Sequence, residues 1–295
     1  MRTTAAWVAT VALLGGCVAA PEAAEERVPS FSADSLLGAI QEEGELVAAI
    51  PASAPPLSFA SRDGAPRGLA VEVGRWIAEG LGVEASFVMA PEDDVVGMVA
   101  DGRADIAFPS APITSAVLRE ITFSNPYYLG HQRLLVAQGS PVRDVYDLAG
   151  EKVCSVPAPT EVPLDSIVPT VEVVEAVTAG DCARSVKRGE VAAGTASDLA
   201  LMGVVSKTEG LEITGDQLNT QGYGVVLASG ASSAADFVDR LLAQARAEDL
   251  YLDWYARWVG PYIADPLPDA PKLSAEEAAT LFPEETIEEE ETIEE

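Results

Sequence analysis

The chain has 295 residues, enough for one large or two medium domains with a sizeable core. Lysine and arginine total 18 against 47 aspartate and glutamate, a formal charge of −29 at pH 7. That balance disfavours nucleic acid and anionic lipid as partners and otherwise reads as a solvated acidic surface.

At the N-terminus Arg2 precedes an apolar run from Ala5 to Gly16, short for a membrane span and sized like a signal-peptide core. Leu14-Gly15-Gly16-Cys17 resembles the lipobox of bacterial lipoproteins. The resemblance implies loss of residues 1–16 and a lipid thioether on Cys17, with a plain secretory signal as the alternative. Either way the folded part is expected outside the cytoplasmic membrane. If Cys17 carries lipid, Cys154 and Cys182 are left as a candidate disulfide in an oxidising compartment, or else as two buried free thiols. No Cys-x-x-Cys spacing occurs and His131 is the sole histidine, so no metal site or cofactor is expected.

Residues 18 to 34 are small, acidic and aperiodic, as in a flexible tether. A helix is expected near Asp34 to Glu42, then a buried strand at Leu46 to Ile50. Leu69, Val73, Trp76 and Ile77 fall on one face of a helix whose other face carries Glu72, Arg75 and Glu79. Glu84 to Met89 follows as a strand, and Asp93 or Asp94 is placed to cap the helix carrying Val95, Val96 and Val99. Asp105 to Phe108 reads as a buried strand, Pro109 to Ile113 as a loop, and Thr114 or Ser115 as the start of a short helix before a strand from Ile121. This strand–helix alternation predicts an α/β fold with parallel sheet.

The chain is expected to leave a first lobe near Tyr128-Leu129-Gly130 and to enter a second with Arg133 to Ala137. Strands at Lys152 to Val156, Val171 to Val174 and Val191 to Thr195 alternate with helices over Ala179 to Arg188 and from Ser197 or Asp198 onward. Val225 to Ala228 brings the chain back. Ser233-Ala234-Ala235-Asp236 resembles a capping box with Asp in the usual Glu position. Tyr251, Trp254, Tyr255 and Trp258 recur at helical spacing and read as core. These breaks give lobe 1 as 35–128 plus 225–260, lobe 2 as 129–224, and a disordered acidic tail over 261–295.

Several segments together resemble the extracellular solute-binding proteins of family 3, the receptors of polar-amino-acid ABC transporters. They are Pro55-Pro56-Leu57-Ser58-Phe59, Gly102-Arg103-Ala104-Asp105, Phe123-Ser124-Asn125-Pro126-Tyr127-Tyr128, Asp147-Leu148-Ala149-Gly150, Tyr223-Gly224 and Trp258-Val259-Gly260. The likeness runs from about Gly44 to Gly260. It implies a periplasmic-binding-protein-like type II fold, two α/β lobes joined by two hinge strands and closing on a small-molecule solute, with an ABC permease as partner. Lys152 to Val156 with Asp181-Cys182 is similar to the glutamate-type branch carrying a paired cysteine, which supports the disulfide. A monomer without catalytic activity is expected.

The charged anchors of the family are missing. The arginine that clamps a ligand's α-carboxylate aligns with Val117, and Arg119, two residues on, is rotated by about 200° on a helix. The pocket threonine aligns with Pro112, the aspartate that holds the α-ammonium with Ser197, and a Gly-Ser/Thr-Thr loop with Ala158-Pro159-Thr160. A buried zwitterion needs both charges matched. The loss therefore argues against an ordinary amino acid held in the usual way. Ser53, Phe108, Ser110, Thr160, Ser197 and Tyr223 are the candidate ligand contacts, suited to a neutral or weakly polar solute, though Ser197 as a helix cap and Phe108 as core are equally good readings. A degenerate sensor without transported ligand is the alternative function. Glu161 is the one carboxylate placed to act as a general acid were the chain an enzyme.

Overall fold

The computed structural model describes residues 28–115, 120–263 and 271–281. Lobe 1 opens with α1 (Leu36–Glu43), capped by Ser35 and ended by the left-handed Gly44, and runs into β1 (Glu45–Pro51). Three short antiparallel strands follow, β2 (Ser53–Ala54), β3 (Ser58–Ala60) and β4 (Pro66–Arg67). Then come α2 (Leu69–Leu81), β5 (Glu84–Ala90), α3 (Glu92–Ala100), β6 (Ile106–Ala107) and β7 (Thr122–Phe123).

Of the stripe predicted for α2, Leu69, Val73 and Ile77 are buried, and Leu81 extends the buried face by one turn. Trp76 belongs to the same face, and its Nε1 donates to the Leu241 carbonyl at 2.8 Å. The helix starts where it does because Gly68 has φ of +127°, and a Cβ there would lie 2.2 Å from the Leu57 carbonyl oxygen. α3 is entered from Pro91 with no side-chain cap, so neither Asp93 nor Asp94 caps it; both sit in the first turn beside Glu92, where they favour the helix dipole.

The chain crosses at β8 (Tyr128–Gly130) into lobe 2. That lobe contains β9 (Gln132–Ala137), β10 (Lys152–Ser155), α4 (Leu164–Ile167), β11 (Glu172–Glu175), α5 (Ala179–Lys187), β12 (Ala193–Ser197), α6 (Asp198–Val205) and β13 (Leu211–Thr214). It crosses back at β14 (Gln221–Tyr223), antiparallel to β8 with Tyr223 opposite Tyr128. Lobe 1 is completed by β15 (Val226–Leu227), α7 (Ser232–Ala247) and α8 (Leu250–Trp258).

Each lobe carries a five-stranded sheet, ordered β5-β1-β6-β15-β7 and β11-β10-β12-β9-β13. β1 runs parallel to β5 and β6, and β10 parallel to β11 and β12, as βαβ crossovers require; the strands next to each crossing run antiparallel. Cys154 on β10 and Cys182 on α5 form a disulfide, stapling that helix to its sheet over a sequence separation of 28. Tyr251, Trp254 and Tyr255 are buried on α8, as their spacing predicts. Among the described residues no helix is long and apolar enough to cross a membrane.

Three further expectations need correction. The Ser233 capping box does not form: α7 begins at Ser232, follows Ala231, and has no side-chain cap. The tether reading fails at its end, because Phe31 packs edge-on against Phe237 with centroids 5.2 Å apart, ahead of α1. The disordered-tail reading fails for 271–281. There Ser274 and Glu277 form a capping box for α9 (Ala275–Thr280), whose Ala275, Ala278 and Ala279 are buried against Ile113, Phe123 and Val226. Ala278 can approach β14 closely because residue 222 is glycine; a Cβ there would lie 2.7 Å from that of Ala278. Alanines at this spacing form an apolar face that the surrounding charge hides from a composition-based reading. The lipobox, the position of Val117 and Arg119, and the glutamate run from Glu284 lie outside the described residues.

Candidate functional site

Carboxyl ends of parallel strands leave a crevice in α/β sheets, and here two such crevices face each other. The cleft between the lobes has a volume of about 530 Å³, within the range of small-molecule sites. Lobe 1 supplies Ser53 to Pro55, which follow β1, and Ser110, which follows β6. Lobe 2 supplies the first turn of α5 with Arg184 and Lys187 from its later turns, and one face of α6 with Ser197 before it and Lys207 after it.

Of the six candidate contacts, Ser53, Ser110 and Ser197 line this cleft. The Ser53 Oγ accepts from Lys207 Nζ at 3.2 Å, a direct bond between the lobes. Ser110 gives both its N–H and its hydroxyl to the Glu92 carboxylate, at 2.8 and 2.6 Å, so the hydroxyl faces a ligand as an acceptor. Ser197 caps α6, its Oγ accepting from the Ala200 N–H.

Phe108, Thr160 and Tyr223 do not line the cleft. Phe108 is 0% exposed and packs edge-on against Tyr127, with centroids 5.6 Å apart, because the strand it ends is covered on both faces. Tyr223 is 1% exposed on β14, its ring against Tyr128 and its hydroxyl donating to Gln221 Oε1 at 2.7 Å. Thr160 is buried, with its Oγ1 accepting from Gln221 Nε2 at 3.2 Å.

These last residues belong to a buried polar cluster that ties both crossing strands to lobe 2. Asp198, one residue past the position expected to hold an ammonium, is turned beneath the cleft and 1% exposed. Its Oδ2 accepts from the Tyr128 hydroxyl at 2.9 Å. Burial pushes its pKa up to about 7, against the pull of the Tyr128 hydroxyl, the His131 and Leu199 N–H groups and the Arg133 charge. Glu161 is also raised to about 7, first by burial and then by the Asp198 charge, while the Gln221 amide opposes the shift. Glu161 lines a separate depression of about 310 Å³ on lobe 2 rather than the cleft. Among the described residues no group of three or more His, Cys, Asp or Glu is placed to hold a metal ion.

Sequence reasoning missed Arg184, Lys187 and Lys207. Arg184 and Lys187 flank the buried Cys182, Ala183 and Val186 on α5, a pattern that reads as a solvated helix face. Only the apposition of lobe 1 makes that face a cleft wall. Among the described residues lining the cleft there is no aspartate or glutamate, although the chain has 47 of them.

Two α/β lobes, two crossing strands and a solute-sized cleft between them define a type II periplasmic-binding-protein fold. The solved structures bear this out: an ancestral cationic amino acid solute-binding protein matches 76% of this chain and 99% of its own at a TM-score of 0.64, with 20% identity. The ancestral amino acid-binding protein described as a precursor of cyclohexadienyl dehydratase matches 76% of this chain and 99% of its own, at a TM-score of 0.59 and 22% identity. Residues 46–261 match the model of the bacterial extracellular solute-binding proteins, family 3, and the chain belongs to that family. Relatives include the L-cystine-binding protein TcyJ of Escherichia coli strain K12, 27% identical over 84% of this chain and 94% of its own. The ABC transporter glutamine-binding protein GlnH of Bacillus subtilis strain 168 is 25% identical, over 65% of this chain and 72% of its own.

Proposed function

We propose that this protein is an extracytoplasmic, lipid-anchored receptor of an ABC importer that binds a small solute between its lobes, and that the solute is not a standard amino acid held in the family's usual mode. The observation that carries the reading is the cleft itself: both lobes line it, and among the described residues its lining holds no carboxylate to pair an ammonium. Asp198, the nearest acid in sequence to the expected anchor, is engaged with Tyr128 below the surface. An unpaired buried ammonium would cost several kcal/mol.

Ser53, Ser110 and Ser197 are the proposed polar contacts, while Phe108, Thr160 and Tyr223 support the cleft from beneath. Lobe closure would present the loaded form to a membrane permease, and the relatives support that setting, GlnH being named for its ABC transporter. The anchor rests on Leu14 to Cys17. Catalysis has no support in the cleft, since Glu161 faces elsewhere. Thermal-shift screening and titration calorimetry of the full chain against a solute library including all standard amino acids test the proposal. A non-amino-acid ligand is expected. Tight binding of a standard L-amino acid would refute the atypical pocket, and stabilisation by no solute at all would favour a sensor without transported ligand.

A further inference from the structure

Resting on the reading of the cleft as a solute site, we propose that its solute is a small organic anion lacking an ammonium group, held by Arg184, Lys187 and Lys207. The charge of the cleft is opposite to that of the protein. Acids outnumber bases 47 to 18 in the chain, yet among the described residues three bases and no acid line this cavity.

Each of the three cations keeps donors for a ligand. Lys207 Nζ gives one bond to Ser53 Oγ at 3.2 Å, and Lys187 Nζ one to the Glu209 carbonyl at 3.1 Å. An ammonium has three donors. Arg184 is ion-paired with Asp181, whose carboxylate also serves the Thr178 capping box and lies outside the cleft lining. A guanidinium has five N–H donors, so that pairing leaves an edge for an anion. Counting Asp181 against Arg184, and the Glu92 carboxylate behind Ser110 against a second cation, the cleft still presents one net positive charge. An incoming ammonium would be repelled by the three cations, and the nearby Glu92 carboxylate already accepts both the N–H and the hydroxyl of Ser110 from outside the lining. Lys207 also bonds across the gap, so an anion bridging it and Ser53 would draw on both lobes.

The chemistry shared by carboxylates and phosphate esters fits this wall, and the probes separate the two. Titration calorimetry on the full chain would use glutarate, glycerol 3-phosphate, L-glutamate, L-glutamine and L-arginine. The tighter of the two amine-free anions is expected to exceed L-glutamate by about tenfold, the order of one charge-assisted hydrogen bond. Lys207→Gln and Arg184→Gln should each weaken that anion by about tenfold. Because both side chains are exposed, their melting temperatures should match the parent. Lys152→Gln, whose ammonium pairs with Glu172 at 2.9 Å away from the cleft, should change nothing. Tighter binding of L-glutamine or L-arginine would overturn the anion assignment while keeping the solute site, as would anion binding indifferent to both cleft variants. Binding of none of these probes, nor of any solute in the wider library, would remove the solute reading and this inference with it.

Discussion

Asp198→Asn tests whether the buried cluster beneath the cleft is arranged as described. In the folded chain the carboxyl titrates at about 7, against 3.8 for an unperturbed aspartate, because burial disfavours its charge. Each tenfold change in proton affinity is about 1.36 kcal/mol, so ionising this group in place costs the folded state about 4 kcal/mol. The folded pKa lies above the unfolded one, so the folded state holds a proton that the unfolded chain releases. That contribution is whole below pH 3.8 and is lost as pH rises through about 7. Asparagine keeps an oxygen to accept from the Tyr128 hydroxyl and carries no charge at any pH. Wild type and variant should therefore be nearly equal at pH 4, and the variant more stable by up to about 4 kcal/mol at pH 8. Urea unfolding followed by tryptophan fluorescence across pH 4 to 8 measures the difference, which cancels the titration of the other acids. Glu161 keeps a slope of the same sign in both proteins, reduced in the variant because the Asp198 charge is one cause of its shift. A wild-type-minus-variant difference that stays flat with pH would refute the reasoning.

Replacing Cys154 and Cys182 together with alanine removes a closure spanning 28 residues, worth about 3–4 kcal/mol of chain entropy. Calorimetry should show a fall in Tm of about 10 °C for a chain of this size, and an unchanged Tm would mean that the bond is absent in the protein as isolated. Ala278→Asp places a charge on a fully buried position facing Gly222, and should cost at least about 3 kcal/mol or release α9. Limited proteolysis should then cut near the C-terminal segment in the variant and not in the parent; equal resistance in both would show that α9 is not docked.

The order and type of most elements were present in the sequence by itself. Local chemistry decides them: the apolar stripe of α2, the both-faces-buried run of β1 and the aromatic repeat of α8 each satisfy one period and no other. The same holds for the absence of an arginine three residues after Thr114, since a missing charge is visible without coordinates. Short elements were harder. The α9 face is three alanines in an acidic surround, and alanine signals helix without signalling burial.

Which side chains share the cleft was settled only by the tertiary structure. Phe108 and Tyr223 sit on the expected loops and strands, yet neighbours from distant segments, Tyr127 and Gln221 among them, claim their exposed edges. Arg184, Lys187 and Lys207 look like ordinary solvated cations along the chain, and they become a binding wall because a second lobe stands opposite them. Periodicity reports what one segment does with its own neighbours. The field inside a cleft is a sum over two surfaces that meet only after both have folded.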